Sequence, residues 1–206
     1  MRCGVVLLAV GAAGCAFHDV SLRLPPSVGT GLSGGDSRQV VVVVPFADQR
    51  SQPNRCGMQK NSYNMETASA ICSEPPAAWL ANLLASELRA AGFSVVTQAD
   101  RPSAVRVEGT LLQLFVEPVI GFSTVSLESD LQVKLVLTSA TGLVAERTFF
   151  VKSTQSGLVA TPGNFQKSVD EGSRQVAREM VAAILSLLNR YPQLGKGLRA
   201  TVEVRA

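Results

Sequence analysis

The chain has 206 residues, 46% of them hydrophobic and 17% charged, with a formal net charge of +3. That balance excludes intrinsic disorder, and the length suits one ordinary domain with a buried core plus a short extension. Lysines and arginines are interspersed with acids, and aromatics make up only 5% of the chain. A nucleic-acid footprint, which needs a basic stripe, is therefore excluded.

The N-terminus reads as an export signal. Arg2 supplies a positive start, a nearly uncharged apolar stretch runs from Gly4 to Ala13, and small residues lead into Cys15. A transmembrane anchor would need about 20 apolar residues, and here His18 and Asp19 end the run early. The run Ala12-Ala13-Gly14-Cys15 resembles a bacterial lipobox, although Ala12 stands where that motif usually has Leu. The resemblance implies cleavage after residue 14, acyl chains on Cys15 and a mature protein anchored to a membrane by lipid. Ala16, rather than Asp, follows the cysteine, which implies an outer-membrane anchor facing the periplasm.

Residues 15–38 read as a flexible tether: Pro25, Pro26, Gly29, Gly31, Gly34 and Gly35 interrupt any apolar period. As a random coil it would span roughly 25–30 Å. Gly29-x-Gly31-x-x-Gly34 matches the dinucleotide fingerprint in letters only, because it precedes a strand instead of following one. The folded part, 39–191, opens with Val40 to Val44, a β-branched run expected of a strand buried on both faces. Asp48 and Arg50 follow in a turn-rich stretch and are a candidate interaction loop, since loops at strand ends often carry function. A simple turn stabilised by Asp48 is the plainer account.

Once Cys3 leaves with the signal and Cys15 carries lipid, Cys56 and Cys72 remain. In an oxidising compartment an even pair defaults to a disulfide, here worth ~3 kcal/mol by chain entropy. Two free thiols or a metal site are the alternatives. A metal would need more ligands, and the sole histidine, His18, stands in the tether. The intervening segment (Asn54, Gly57, Asn61, Asn64) is polar and turn-prone.

Trp79, Leu80, Leu83, Leu84, Leu88 and Ala91 recur every three and four residues, so a helix runs from the Pro75-Pro76 start to a Gly92 stop. Phe93 to Thr97 completes a β-α-β unit. Val105 to Val116 alternates, but its apolar set switches from odd to even positions, which predicts a bulge between Gly109 and Leu112. In the next strand Val125, Leu127, Leu131, Val133, Leu135 and Leu137 face one way. Ser126, Glu128, Asp130, Gln132 and Lys134 face the other, as in a half-buried antiparallel strand. Ala140-Thr141-Gly142 turns the chain back through Phe149 and Phe150. Thr161-Pro162 then starts a helix whose stripe is Phe165, Val169, Val176, Met180, Ile184, Leu187 and Leu188, ended by Tyr191-Pro192. Residues 192–206 form a tail in which Thr201 to Val204 suits either an edge strand or a loose end.

The expected fold is α+β: a single two-layer sandwich in the order β-α-β-β-β-β-α, with about five mostly antiparallel strands and two helices on one face. No HExxH, phosphate-binding GxxxxGK[ST] or nucleophile-elbow GxSxG occurs, and a triad lacks its histidine. Glu128 and Asp130 share a strand face and could form an acid/base couple, but beside Gln132 and Lys134 they read as a solvated face. The expectation is a non-enzyme without metal or other cofactor. An enzyme or carbohydrate binder using Asp48, Arg50 and Glu128 is the competing class.

Val40-Val41-Val42-Val43-Val44-Pro45-Phe46-Ala47-Asp48-Gln49-Arg50 is similar to the Val-rich strand ending in Asp-x-Arg that opens the YajG-like family of bacterial envelope lipoproteins. Leu80-x-x-Leu83-Leu84-x-x-x-Leu88-x-x-x-Gly92-Phe93-x-Val95 resembles that family's helix and its Gly-Phe-x-Val continuation. The Cys56–Cys72 insert and the tail depart from the family pattern. The resemblance implies an outer-membrane-anchored periplasmic lipoprotein of undefined biochemical role, and the first expectation is a non-catalytic module that binds another envelope component. The alternative is an auxiliary lipoprotein of a transport or assembly machine of the ABC or lipopolysaccharide type.

Overall fold

The computed structural model describes residues 18–97, 104–122, 124–139, 142–157 and 160–194. Cys15, the signal and most of the tail, including Thr201 to Val204, lie outside the described residues. Eleven elements follow in order: β1 (Val20–Leu22), β2 (Val40–Val43), β3 (Ala47–Asp48), β4 (Arg55–Lys60), β5 (Glu66–Cys72), α1 (Pro76–Ala90), β6 (Ser94–Val96), β7 (Val105–Ile120), β8 (Val125–Ser139), β9 (Gly142–Gly157) and α2 (Pro162–Arg190).

The class is α+β, but among the described residues the sheet has nine strands rather than about five. Three long strands, β7, β8 and β9, form an antiparallel meander. The other edge of β7 is shared in succession by β2, β3 and β4, all parallel to it. β1 and β3 have three and two residues, too few for alternation to show, and β4 and β5 lie in the polar, turn-prone cysteine segment, which is why these four escape the sequence pattern. The segment expected to be a polar loop is instead the β4–β5 hairpin, extended at its outer edge by β1 parallel to β5.

The Val run sits between β6 and β7 with all four strand residues buried. Its inward-facing members join the main core, while Val40 and Val42 pack with Ala104 on the opposite face. The β7 register shifts between Leu111 and Gln113, a bulge within the stretch where the alternation changes phase. In β8 every second residue from Leu127 to Leu137 is buried, Ser129 included.

Both helices pack against the same core. Pro76 occupies the first position of α1. After it, Phe93 N–H bonds Leu88 O and Gly92 N–H bonds Arg89 O, with Gly92 at φ 107°. This is a Schellman closure, which needs a residue tolerant of positive φ. The Thr161 hydroxyl caps α2 by accepting from Asn164 N–H. The apolar stripe of α2 is interrupted at Ser168, Gly172 and Ser173, and these are buried. A Cβ on Gly172 would stand 2.8 Å from Ser129 Oγ and 2.9 Å from Leu131 Cδ1. The missing side chain is what lets helix and sheet approach so closely.

Cys56 and Cys72 form a disulfide with Cα atoms 5.7 Å apart. It ties β4 to β5 beside Leu22, whose Cα partner is Cys72.

The expected flexible tether is corrected over residues 18–38, which strap the domain. Val20, Leu22 and Leu24 are buried in the main core. The strap is held along its length. Asp19 accepts from Ser69 N–H, and the Gln166 side chain bonds both N–H and C=O of Arg23. The Trp79 indole donates to Pro25 O, and Gly35 N–H bonds Ala91 O. Among the described residues no helix is long and apolar enough to cross a membrane.

Candidate functional site

Glu87 lies on the apolar face of α1 and is 1% exposed. Its Oε1 accepts from the Ser27 hydroxyl (2.8 Å), Val28 N–H (2.8 Å) and Gly29 N–H (3.1 Å), and its Oε2 accepts from Thr30 N–H (2.9 Å). Converging backbone amides make an anion-binding nest, and Gly29 and Gly31 supply the positive φ values of 61° and 68°. Burial alone would raise the Glu87 carboxyl. The amides of Thr30 and Val28, the Ser27 hydroxyl and Gly29 N–H outweigh that and hold it at about 2. The glycine motif that mimics a phosphate cradle does bind an anion, but the anion is the chain's own side chain. This makes it part of the fold.

Asp48 and Arg50 come together as a clamp. Arg50 Nε and Nη2 donate to Asp48 Oδ1 and Oδ2 at 3.0 and 2.8 Å, and Arg50 N–H adds a third bond at 3.1 Å. Arg50 Nη1 also reaches Arg55 O (3.0 Å) and Leu114 O (3.4 Å), and Nη2 bonds Pro53 O. The Arg50 side chain is only 6% exposed. Burial would raise the Asp48 carboxyl, but hydrogen bonds and charge from Arg50 hold it below its ordinary value. These groups are spent internally, fastening residues 49–55 to β7, so the pair is a structural staple and not an open interaction loop.

Glu128 and Asp130 lie on the outer sheet face, as the strand phase requires. Glu128 pairs with Lys152 at 2.5 Å, and Glu117 on the neighbouring strand pairs with Lys60. Burial raises the Asp130 carboxyl; Lys152 opposes this, and Glu128 and Glu117 add to it. Among the described residues no group of three or more His, Cys, Asp or Glu could hold a metal. His18 stands at the start of the strap, its carbonyl accepting from the Gln59 amide.

A site that sequence reasoning missed lies between the C-terminal half of α2 and the β8–β9 hairpin. It is an open crevice of about 210 Å³ with walls from Leu135, Phe149, Ile184 and Leu187. Arg147 and Arg190 stand at its mouth. The Arg147 guanidinium lies 5.0 Å from the Phe149 ring centroid. Glu146, also at the rim, is engaged by Lys134 at 2.8 Å on the outer face. Among the described residues neither arginine forms an ion pair, so the mouth carries uncompensated positive charge. The signal in the sequence was weak: Arg147 falls between Ala145 and Phe149 in the inward phase of β9, opposite Leu135.

Solved structures with this architecture include a Xanthomonas campestris protein that is 14% identical. That match covers 85% of this chain and 98% of the other, with a TM-score of 0.57. A second, described only as an uncharacterized protein, is also 14% identical and covers 81% and 98%, with a TM-score of 0.51. At such identity the likeness is one of fold. Rare lipoprotein B of Shewanella oneidensis aligns at 12% identity over 72% of this chain and 98% of its own, with a TM-score of 0.38. No curated protein matches the chain. The model of a family described as uncharacterized lipoprotein matches residues 33–183, spanning the Val-rich strand, α1, the long meander and most of α2, and the chain belongs to that family.

Proposed function

We propose that the protein is a non-catalytic envelope lipoprotein, anchored to the outer membrane through Cys15, which presents a binding module to the periplasm. The observation that carries the binding role is the crevice under α2: apolar walls combined with two arginines that lack acidic partners among the described residues. Glu87 and Arg50, by contrast, spend their hydrogen bonds within the fold. Apolar walls with convergent cationic groups suit a ligand with a hydrocarbon body and an acidic group. Family membership supports the lipoprotein assignment, and the small-residue run before Cys15 supports acylation at that thiol.

Mass spectrometry of the mature N-terminus checks the anchor, with a chain beginning at an acylated Cys15 as the expected result. An unmodified cysteine overturns it. The binding role is read by titration with a fluorescent fatty-acid analogue. Saturable binding is expected, weakened about tenfold by Arg147→Ser, in line with loss of one charge-assisted contact. Ala183→Trp, which fills the crevice, is expected to abolish it. Binding indifferent to both substitutions overturns the crevice as the site. Co-recovery with a permease or a barrel protein after crosslinking would instead assign the auxiliary role in a transport machine.

A further inference from the structure

Two hairpin tips meet at one end of the sheet. β4 and β7 are parallel with Gly57 opposite Val116, so the turns that follow them project the same way. Lys60 at the end of β4 reaches Glu117 on β7, which places the tips side by side. The first tip, residues 61–65, exposes Tyr63 (81%) and Met65 (57%). The second exposes Val119 (40%) and Phe122, the latter fully. Of the six large hydrophobic side chains exposed among the described residues, four stand here. Scattered exposed apolar residues are ordinary, but a cluster marks a contact surface.

The tips are also uncharged. Asn61-Ser62-Tyr63-Asn64-Met65 and Val119-Ile120-Gly121-Phe122-Ser123-Thr124 contain no Asp, Glu, Lys or Arg. The nearest charges are paired just beneath them, Lys60 with Glu117 and Arg55 with Glu66. An apolar and aromatic crown above a ring of neutralised charge suits the boundary between head groups and acyl chains, where Tyr is favoured.

The chain's own N-terminus names the occupant. β1 runs parallel to β5, with Val20 opposite Ala70, and Gln59, whose Cα partner is Ala68, holds the His18 carbonyl. His18 therefore stands about 7 Å, two strand residues, below the base of the first tip at Glu66. Three residues separate Cys15 from His18, and three residues reach at most about 10 Å. The level of the tips is therefore within reach of Cys15.

We infer that the two hairpin tips form a membrane foot, in which Tyr63, Met65, Val119 and Phe122 dip into the bilayer interface beside the lipidated Cys15. The inference rests on the anchored-lipoprotein proposal for its geometry. The foot adds a second signal to the acyl anchor and fixes the orientation of the domain. The sheet then stands on the membrane, and Leu137, twelve residues along β8 from Val125, lies roughly 40 Å away. This turns the α2 crevice outward from the lipid.

The test uses the full lipidated chain in vesicles of phosphatidylethanolamine and phosphatidylglycerol with brominated acyl chains. Phe122→Trp is compared with Phe150→Trp. Phe150 is also exposed but lies seven β9 residues, about 23 Å, from the tip-proximal end at Gly157. Interfacial burial reaches only about 5–10 Å, so the indole introduced at 122 is expected to lose about half its emission while the one at 150 is unaffected. The loss is expected to persist at high salt, since the tips carry no charge. If the protein floats with vesicles and Cys15 is acylated, yet position 122 is unquenched, the foot is overturned and the anchor stands. If Cys15 is unmodified, the same pair is read on the unanchored protein at high lipid. Quenching at 122 alone there upholds the foot, and its absence overturns it. A lipid-free blue shift at 122 that grows with protein concentration assigns the tips to a second copy and also overturns it.

Discussion

Leu131→Asp is expected to unfold the domain, whereas Gln132→Asp, its neighbour on β8, leaves it folded. Leu131 is fully buried, against the seam where α2 approaches β8 through Gly172. Replacing it removes about 2–3 kcal/mol of apolar burial and places a carboxylate where no donor meets it, which adds several kcal/mol more. The sum, on the order of 5 kcal/mol or above, is comparable to the whole stability of a typical domain. Gln132 faces outward opposite Phe150, and surface changes of this kind shift stability by less than about 1 kcal/mol. Chemical unfolding followed by circular dichroism separates the two. Equal tolerance would mean that the inside and outside of β8 have been exchanged.

How far the fold was legible follows from where periodicity survives. The 15 residues of β8 and the 29 of α2 carry repeats long enough to give their phase, and Gly92 and Thr161 mark helix ends by stereochemistry alone. Even the bulge at Leu112 showed, because inserting one residue flips every later side chain. The short strands were a different matter. β3 has two residues and β1 three, below the length at which alternation can be told from chance. Val20, Leu22 and Leu24 do alternate, but the following prolines and glycines made the segment read as linker.

The candidate site was less legible for a related reason. Asp48 and Arg50 were visible as a charged pair after a strand, yet their partners are carbonyls of Arg55, Pro53 and Leu114. Backbone acceptors leave no trace in residue type. The crevice arises from the separation of α2 and β9, a tertiary distance that no local spacing encodes. The cysteine pair was the opposite case, since composition and compartment alone pointed to the bond found between Cys56 and Cys72. Glu87 offered a clue that passed unused: a charged residue within the stripe Trp79, Leu80, Leu83, Leu84 and Leu88. Buried glutamates are rare unless paired, so its partner had to be elsewhere in the chain. The partner was the glycine loop.

Glu87→Ala is expected to free residues 25–35 from α1 and to destabilise the domain by about 4 kcal/mol, because four donors lose a charged acceptor and three of them are backbone amides. For a chain of this size that corresponds to a fall in Tm of roughly 8–16 °C. Limited proteolysis should cut first within the strap, before the sheet opens. Glu87→Gln keeps one acceptor oxygen but turns an amide toward donors on the other side, so an intermediate loss is expected. The pH dependence has a definite sign. The carboxyl sits at about 2 in the folded chain against an ordinary 4.5, so ionisation favours the folded state. That contribution, ~3 kcal/mol, is fully present above about pH 5 and is lost progressively as pH falls from 4.5 toward 2. Wild type should therefore lose stability over that window more steeply than Glu87→Gln, whose neutral side chain has no proton to take up. Parallel acid limbs in the two proteins would show that the strap is held by something other than the Glu87 charge.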